Sequence, residues 1–230
     1  MALHTQFTDA EAKAALAAVL DVADVPDGAR RILEAAAYLF ARKGYESTTM
    51  RTIAAAAEVT VPMVYYYFEG KEQIFVKLFE SLGQDLFSRL HAVQAKQYPD
   101  FHAELLDITR VFRALLYPNP VILQLMAQLM FGPPESSPAI EQRDGRETVN
   151  AVIRNIFESA ATSERFAPTP GFEPADLSVY FINLTYGHTM CALKQMELQD
   201  IDHGALYEAF LSDQALNNLV DIFLNGASKN

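Results

Sequence analysis

The sequence predicts an all-α protein with a small N-terminal domain and a larger helical C-terminal domain. Apolar residues recur at three- and four-residue intervals along most of the 230-residue chain, which is the period of an amphipathic helix. Clusters of proline and glycine separate these segments, as at residues 25–28, 118–120 and 132–138. Half of the residues are hydrophobic, which provides material for a substantial core.

The charge distribution restricts the partners that the chain can bind. Its net charge is −11 at pH 7, which opposes general contact with DNA phosphates. Residues 27–77, however, carry seven basic and six acidic side chains, a net charge of +1, and the rest of the chain carries −12. This distribution indicates one small DNA-facing surface on an acidic protein.

Three features bear on the cellular compartment. With a single cysteine, Cys191, the chain cannot form an intramolecular disulfide, which fits a reducing environment. The N-terminus lacks the basic flank and unbroken apolar segment of a signal peptide. The longest strongly apolar segment, residues 121–131, is shorter than the roughly 20 residues of a membrane helix. We therefore expect a cytoplasmic protein with no membrane association.

Residues 1–25 predict an N-terminal arm or accessory helix, with Thr8 and Glu11 as a capping box. From residue 29 to residue 43 the apolar spacing predicts a helix that ends at Gly44. Its buried face is expected to contain Ile32, Leu33, Ala36, Leu39 and Phe40.

Residues 47–72 predict two short helices separated by a turn. Thr49 is the expected N-cap of the first helix, and a turn at Val59 and Thr60 leads to the second. Pro62 stands in the first turn of this second helix, where a missing N–H costs nothing. Its inward positions are expected to be Val64, Tyr65 and Phe68. We assign residues 26–72 to a helix-turn-helix domain and residues 73–230 to the C-terminal domain.

The N-terminal segment resembles the signature of the TetR family of one-component transcriptional regulators. The resemblance covers residues 29–79 and implies an all-α homodimer whose divergent C-terminal domain binds a small molecule and forms the dimer. The chain departs from the family pattern at Val61 and Pro62, where a small residue is frequent, and at Glu58, where glycine is common. The residues that carry the resemblance are Gly44, Thr49, Ile53, Ala54, Val59, Thr60, Tyr65, Tyr66, Tyr67, Phe68, Lys71 and Glu72.

A helix-turn-helix presents the first residues of its second helix to base edges in the major groove. Here those residues are Thr60, Val61, Pro62 and Met63, of which only Thr60 has a hydrogen-bonding side chain. Readout is therefore expected to depend largely on apolar contacts. The resemblance implies that Arg51 also reaches base edges, and its guanidinium can pair with guanine.

Other residues are expected to contact the DNA backbone. The resemblance implies that Tyr66 and Tyr67 donate to phosphate oxygens. Lys71, at the start of the next helix, and Thr49 are further candidates for phosphate contacts. The alternative is that the tyrosines belong to the core and that Lys71 is an ordinary solvated charge.

The C-terminal part predicts a succession of helices. The helix at 176–197 is apolar nearly all round, and the last helix is also apolar, so we expect a homodimer that forms through this terminal pair. The alternative is that both belong to the core of a monomer. The predicted helices span residues 71–95, 101–116, 121–131, about 139–163, 176–197 and 206–224.

The chain contains no phosphate-binding glycine loop, GxSxG, CxxC or HExxH motif, so we expect neither an enzyme nor a bound cofactor. His188 and Cys191 share a helix face, but two ligands do not complete a metal site, and no metal is expected. A small, mainly apolar ligand is expected instead. Its candidate contacts are the polar or aromatic Tyr180, Asn183, Tyr186 and His188 and the apolar Phe112, Leu116, Met126, Met130 and Phe131.

The sequence thus predicts a ligand-responsive regulator, a repressor released from a palindromic double-stranded DNA operator by a small effector. Two alternatives remain open. One is a small-molecule-binding enzyme or carrier with a vestigial DNA-binding domain. The other is a DNA-organising protein without an effector.

Overall fold

The computed structural model describes residues 16–17, 25–117, 120–131, 149–195 and 203–227. Within these ranges the protein is helical and contains no β-strand, as predicted. Residues 16 and 17 are also helical, and Leu16 is buried. The helices are α1 (Asp27–Lys43), α2 (Met50–Ala56), α3 (Val61–Tyr67), α4 (Lys71–Ala95), α5 (Phe101–Leu116), α6 (Pro120–Phe131), α7 (Val149–Thr162), α8 (Pro174–Gln195), α9 (His203–Phe210) and α10 (Asp213–Ala227).

The chain divides into two compact units. The N-terminal unit comprises residues 1–85 and 118–144, and the C-terminal unit comprises residues 86–117 and 145–230. The division falls inside α4, whereas the sequence suggested a boundary between residues 72 and 73. The difference arises because the helix from residue 71 continues without a break to Ala95, as its apolar spacing predicted.

In the N-terminal unit, α1 buries the whole of its predicted apolar face. It packs against α2, α3 and α6. An aromatic cluster of Phe40, Tyr45 and Phe75, with ring centroids 5.2–5.5 Å apart, joins α1, the following loop and α4. The short helices α2 and α3 therefore pack on a helix that is itself held by aromatic contacts.

Helix α6 belongs to the N-terminal unit, although the sequence placed it in the C-terminal domain. Gln128 Nε2 donates a hydrogen bond to the carbonyl of Ala41 on α1 at 3.1 Å. Val121, Ile122 and Leu125 on the same helix are buried. Periodicity identifies an apolar helix but does not reveal which neighbour covers it, so this placement was not predictable from the pattern.

The C-terminal unit is built from α5, α7, α8, α9, α10 and the end of α4. Helix α8 packs against α5, α7, α9 and α10, and α5 packs against α10. Aromatic rings form its centre, with centroid separations of 4.8–6.0 Å. These rings belong to Phe101, Phe157, Phe166, Phe181 and Phe223.

The last predicted helix, residues 206–224, is in fact two helices. The backbone N–H groups of Leu211 and Ser212 both donate to the Tyr207 carbonyl, which ends α9. Ser212 Oγ then accepts a hydrogen bond from the N–H of Ala215 at 3.2 Å and so caps α10. The uninterrupted apolar spacing concealed this break.

Two further predictions fall partly outside the described residues. The predicted helix at about 139–163 corresponds to α7, which is described from Val149 to Thr162. The predicted arm at residues 1–25 lies outside the described residues except for residues 16–17 and 25. The proline and glycine cluster at residues 132–138 lies outside them entirely.

Candidate nucleic-acid interface

Helix α2 begins with a reciprocal cap. Thr49 Oγ1 accepts a hydrogen bond from the N–H of Thr52 at 3.2 Å, and Thr52 Oγ1 accepts one from the N–H of Thr49 at 3.0 Å. This cap fixes the first turn of α2, which contains Arg51. The side chain of Arg51 is exposed, so its guanidinium is available to a partner.

The turn between α2 and α3 has the hydrogen bonds of a Schellman motif. The N–H of Val59 donates to the carbonyl of Ala54 at 3.0 Å, and the N–H of Glu58 donates to the carbonyl of Ala55 at 3.3 Å. Glu58 adopts the left-handed conformation, with φ of 55°. Glycine adopts this conformation without strain, so Glu58 stabilises the turn less than glycine would.

Helix α3 has one buried face and one exposed face. Val64 and Phe68 are buried, as predicted, at 0% and 5% exposure. The prediction that Tyr65 points inward is wrong, because 55% of the residue is exposed. Tyr66, next to it, is 81% exposed. In a helix as short as α3, the inward direction at Val64 and Phe68 turns their neighbours toward solvent.

The start of α3 is capped by its predicted first residue. Thr60 Oγ1 accepts a hydrogen bond from the N–H of Met63 at 3.4 Å. Pro62 is the second residue of the helix and is exposed, while Val61 and Met63 are partly exposed. The four residues predicted to face base edges therefore lie together at the N-terminal end of α3.

Tyr67 is half-buried and packs α3 against the start of α1. A Cβ atom added to Gly28 would lie only 2.9 Å from both Cε2 and the hydroxyl oxygen of Tyr67. The rings of Tyr66 and Tyr67 meet edge to face, with centroids 5.0 Å apart. The tyrosine hydroxyl thus lies beside the first turn of α1, and Gly28 is required for this close approach.

Lys71 begins α4 and is directed at the loop between α1 and α2. Its Nζ atom donates to the carbonyl of Tyr45 at 2.8 Å and to the carbonyl of Glu46 at 3.4 Å. It also lies 4.1 Å from the centroid of the Tyr45 ring. These contacts were not predictable from the sequence, because the partners are backbone carbonyls 25 and 26 residues away.

The predicted ligand contacts are distributed over both units. Phe112 and Leu116 are buried in α5 of the C-terminal unit. Met126 is half-buried in α6 of the N-terminal unit, and Met130 and Phe131 belong to the same helix, with side chains outside the description. The predicted set therefore does not lie within one unit.

The predicted polar contacts all lie on α8, but they face different directions. Tyr180 and Asn183 are exposed. His188 Nε2 donates to the carbonyl of Phe210 at 2.7 Å, at the end of α9. Cys191, the other residue considered for metal binding, is exposed. Among the described residues, no group of three His, Cys, Asp or Glu is arranged to hold a metal ion.

Tyr186 has the most unusual environment of these residues. Its hydroxyl oxygen is buried and has no hydrogen-bond partner among the residues that the structure describes. Burial also raises the pKa of this phenol, so the hydroxyl stays protonated. The Oγ1 atom of the adjacent Thr185 is likewise buried without a partner in the described part of the chain. An unpaired buried hydroxyl is costly, which makes the Tyr186 hydroxyl a candidate contact for a bound ligand.

The C-terminal unit also contains a polar network that the sequence did not predict. Arg165 donates to the buried carboxylate of Glu104 at 2.5 Å. Asp107 accepts hydrogen bonds from Lys96, Arg110 and Tyr98 at 2.6–2.9 Å. Burial favours the neutral acid, but these bonds outweigh it and hold the pKa of Asp107 below its usual range. A cavity of about 310 Å³ opens beside these groups.

The comparisons with known proteins agree with this geometry. Residues 32–78 match the family profile described as bacterial regulatory proteins, tetR family. The transcriptional repressor NicS of Pseudomonas putida is 25% identical over 202 residues, which cover 82% of this chain and 90% of NicS. Further curated relatives match over 60–76 residues, which cover 39% of their length or less.

Solved structures share the fold over most of the chain. A tetR family regulator from Shewanella sp. PV-4 superposes with a TM-score of 0.67 at 16% identity. The match covers 89% of this chain and 100% of the Shewanella chain. The regulator FadR of Bacillus subtilis, solved in complex with stearoyl-CoA, has a TM-score of 0.62 at 17% identity and covers 85% of this chain and 97% of its own.

A DNA-binding transcriptional regulator is the class of protein defined by the fold, by the exposed helix-turn-helix and by the matched profile together. Residues 32–78 match the TetR family profile, and the fold over most of the chain is similar to that of a TetR family regulator. Within the described ranges, no helix has the length and apolar character needed to span a membrane.

Proposed function

We propose that the protein is a repressor that binds a near-palindromic operator as a homodimer and is released by a small, mainly apolar effector. The observation that carries this proposal is the exposed face of α2 and α3. Arg51, Tyr65 and Tyr66 are exposed there, while Ile53, Val64 and Phe68 anchor the helices from behind. Groups with base and phosphate chemistry therefore face outward from a packed support.

We assign the DNA contacts as follows. Arg51 pairs with a guanine, and the N-terminal end of α3, residues 60–63, contacts neighbouring base edges. Tyr66, Tyr67 and Thr49 contact phosphates. Tyr65, which the sequence placed in the core, joins these groups because its ring and hydroxyl are exposed beside Tyr66.

We place the homodimer interface on the last helices, α8 and α10. Tyr180 and Leu184 on α8 are exposed, and Ile222 on α10 is 69% exposed. An exposed isoleucine and leucine on long helices are typical of an interface between copies. In the dimer, two α3 helices about 34–36 Å apart enter successive major grooves. Because the proposed partner is an operator in cellular DNA, the proposal also places the protein in the cytoplasm.

We place the effector in the C-terminal unit, with Tyr186 as its polar contact. The unpaired hydroxyl supports a ligand that has a hydrogen-bonding group at one end, and the buried Phe112 and Leu116 support an apolar body. The effector releases DNA if it binds better to a state in which the two α3 helices are spaced differently. Helix α4 contributes residues to both units and is the element we propose for transmitting the change.

A gel-shift experiment with the promoter region of the protein's own gene tests this function. Repression requires a shift at low salt by a protein that sedimentation shows to be a dimer. A dimer that gives no shift contradicts the proposal and favours a small-molecule enzyme or carrier. Mass spectrometry of the purified protein should detect a retained ligand, whose addition to ligand-free protein should weaken the shift. Operator binding that is insensitive to that ligand favours a DNA-organising role.

A further inference from the structure

The ammonium group of Lys71 is occupied by the protein itself. It donates to the carbonyls of Tyr45 and Glu46 and lies over the Tyr45 ring. An ammonium has three N–H donors, and two carbonyls of the loop between α1 and α2 accept hydrogen bonds from this one. The side chain of Lys71 is therefore directed toward that loop.

The loop that Lys71 holds leads directly into α2. The Tyr45 carbonyl also accepts a hydrogen bond from the N–H of Thr48 at 3.2 Å, and Thr48 Oγ1 donates to the carbonyl of Gly44 at 2.8 Å. Thr48 is 1% exposed, and the Tyr45 ring packs against Phe40 and Phe75. Residues 44–48 are thereby held in one conformation immediately before the cap at Thr49.

We propose that Lys71 is a positioning residue for DNA recognition, which fixes the loop between α1 and α2 and so determines where Arg51 is presented. This inference rests on the proposed function, because it concerns the accuracy of operator readout. A phosphate contact strengthens binding to every sequence alike. A positioning residue instead contributes where Arg51 reads a base, so the two roles differ in sequence discrimination and in salt dependence.

The variant Lys71→Met tests the role, with Lys43→Met as the charge-matched control. Lys43 is an exposed lysine at the end of α1, in the same unit. Affinities for the operator and for a scrambled duplex are measured as a function of salt. We expect Lys71→Met to lower the ratio of specific to nonspecific affinity about 10-fold, as removal of a base contact does. We expect the salt slope to match that of Lys43→Met.

A phosphate-binding role for Lys71 gives the opposite result. Both affinities would then fall alike, and the slope of log affinity against log salt would drop by about 0.9 for each phosphate that the variant no longer neutralises. That result overturns the positioning role. If Lys71→Met does not fold, Lys71→Arg serves instead, because it retains the positive charge but replaces the ammonium with a planar guanidinium. It should still lose discrimination, and wild-type discrimination in Lys71→Arg would contradict the inference.

A double-mutant cycle with Arg51→Ala identifies the residue through which Lys71 acts. In the Arg51→Ala background, Lys71→Met should change the affinity ratio less than about twofold, since the guanidinium that it positions is already absent. Fully additive effects would contradict the inference while leaving the proposed function intact. A wild-type dimer without specific binding would refute the proposed function, and the role of Lys71 in recognition with it.

Discussion

The two units differ in where their candidate functional polar groups lie: the N-terminal unit exposes them, and the C-terminal unit buries them. The N-terminal unit exposes Arg51, Tyr65 and Tyr66 on two short, well-capped helices. The C-terminal unit buries the carboxylate of Glu104 and the hydroxyl of Tyr186, yet leaves apolar side chains such as Ile222 exposed. The first arrangement suits recognition of a charged, hydrated partner, and the second suits a ligand and another protein subunit.

This contrast explains how an acidic protein can bind DNA. Only the segment from residue 27 to residue 77 is near neutral, so one copy offers few charges to phosphates. In the proposed homodimer, affinity depends on presenting two copies of α3 at once. In this proposal, the apolar exposure of the C-terminal unit serves dimerisation and the aromatic exposure of the N-terminal unit serves DNA contact.

The largest effect is expected when the proposed dimer interface on α8 and α10 is disrupted. The double substitution Leu184→Glu with Ile222→Glu places charges on the exposed apolar faces of α8 and α10. Loss of bivalent binding should lower operator affinity by about 10²–10⁴-fold. Sedimentation should show a monomer, and gel shifts should give the affinity.

The control is Ala114→Glu, which adds one glutamate at an exposed position on α5. It should leave both the dimer and operator affinity unchanged. If the double variant remains a dimer with full affinity, α8 and α10 are not the interface.

The next effect concerns the exposed face of the N-terminal unit. Arg51→Ala should reduce discrimination between the operator and a scrambled duplex by about 10–100-fold, because a bidentate guanine contact contributes about 1–3 kcal/mol. Arg42→Ala is the control, since Arg42 is exposed on α1 and its guanidinium lies over the Tyr38 ring. Equal loss of discrimination in both variants would show that general charge, rather than base readout by Arg51, is responsible.

The sequence predicted the N-terminal unit in greater detail than the C-terminal unit for a physical reason. Caps and turns such as Thr49, Thr60 and Gly44 are local, so their signals lie within a few residues of the structure they produce. The exposure of Tyr65 was missed because an aromatic residue beside Val64 looks like core in a short helix.

Long-range features left no comparable signal. The contact of Lys71 with two carbonyls and the packing of α6 on α1 depend on how distant segments meet. In the C-terminal unit, periodicity predicted α5 and α8 well, but it did not show that Ser212 divides the last helix or that Tyr180 faces solvent. Tyr186 lies on the predicted helix, but its unpaired hydroxyl is visible only in the structure, and its role as a ligand contact stays a prediction.

A smaller effect is expected from Tyr186→Phe. Without ligand, the variant loses a buried hydroxyl that has no described partner, so the ligand-free protein should gain about 1 kcal/mol in unfolding free energy. For a chain of this size, Tm should rise by about 2–4 °C. Retention of the co-purified ligand, measured by native mass spectrometry, should fall. Tyr180→Phe is the matched control because Tyr180 is exposed, and a destabilised Tyr186→Phe would indicate that the hydroxyl has a structural partner.

The smallest effect is expected from glycine substitutions in a backbone turn that occurs in both units. Glu58 after α2 and Glu164 after α7 both adopt left-handed conformations, with φ of 55° and 57°. Each lies within a Schellman motif and donates one of its backbone hydrogen bonds. Replacing either by glycine removes the strain of a Cβ atom at positive φ, so each variant should gain about 0.5–1 kcal/mol in urea unfolding. Glu58→Gln and Glu164→Gln remove the charge but keep the Cβ atom, and their stability should stay near that of the wild type. Glu58→Gly should leave the discrimination between the operator and a scrambled duplex unchanged, because Glu58 already forms the turn that glycine would form. If the glutamine variants gain as much as the glycine variants, charge repulsion rather than backbone conformation is the cost at these two turns.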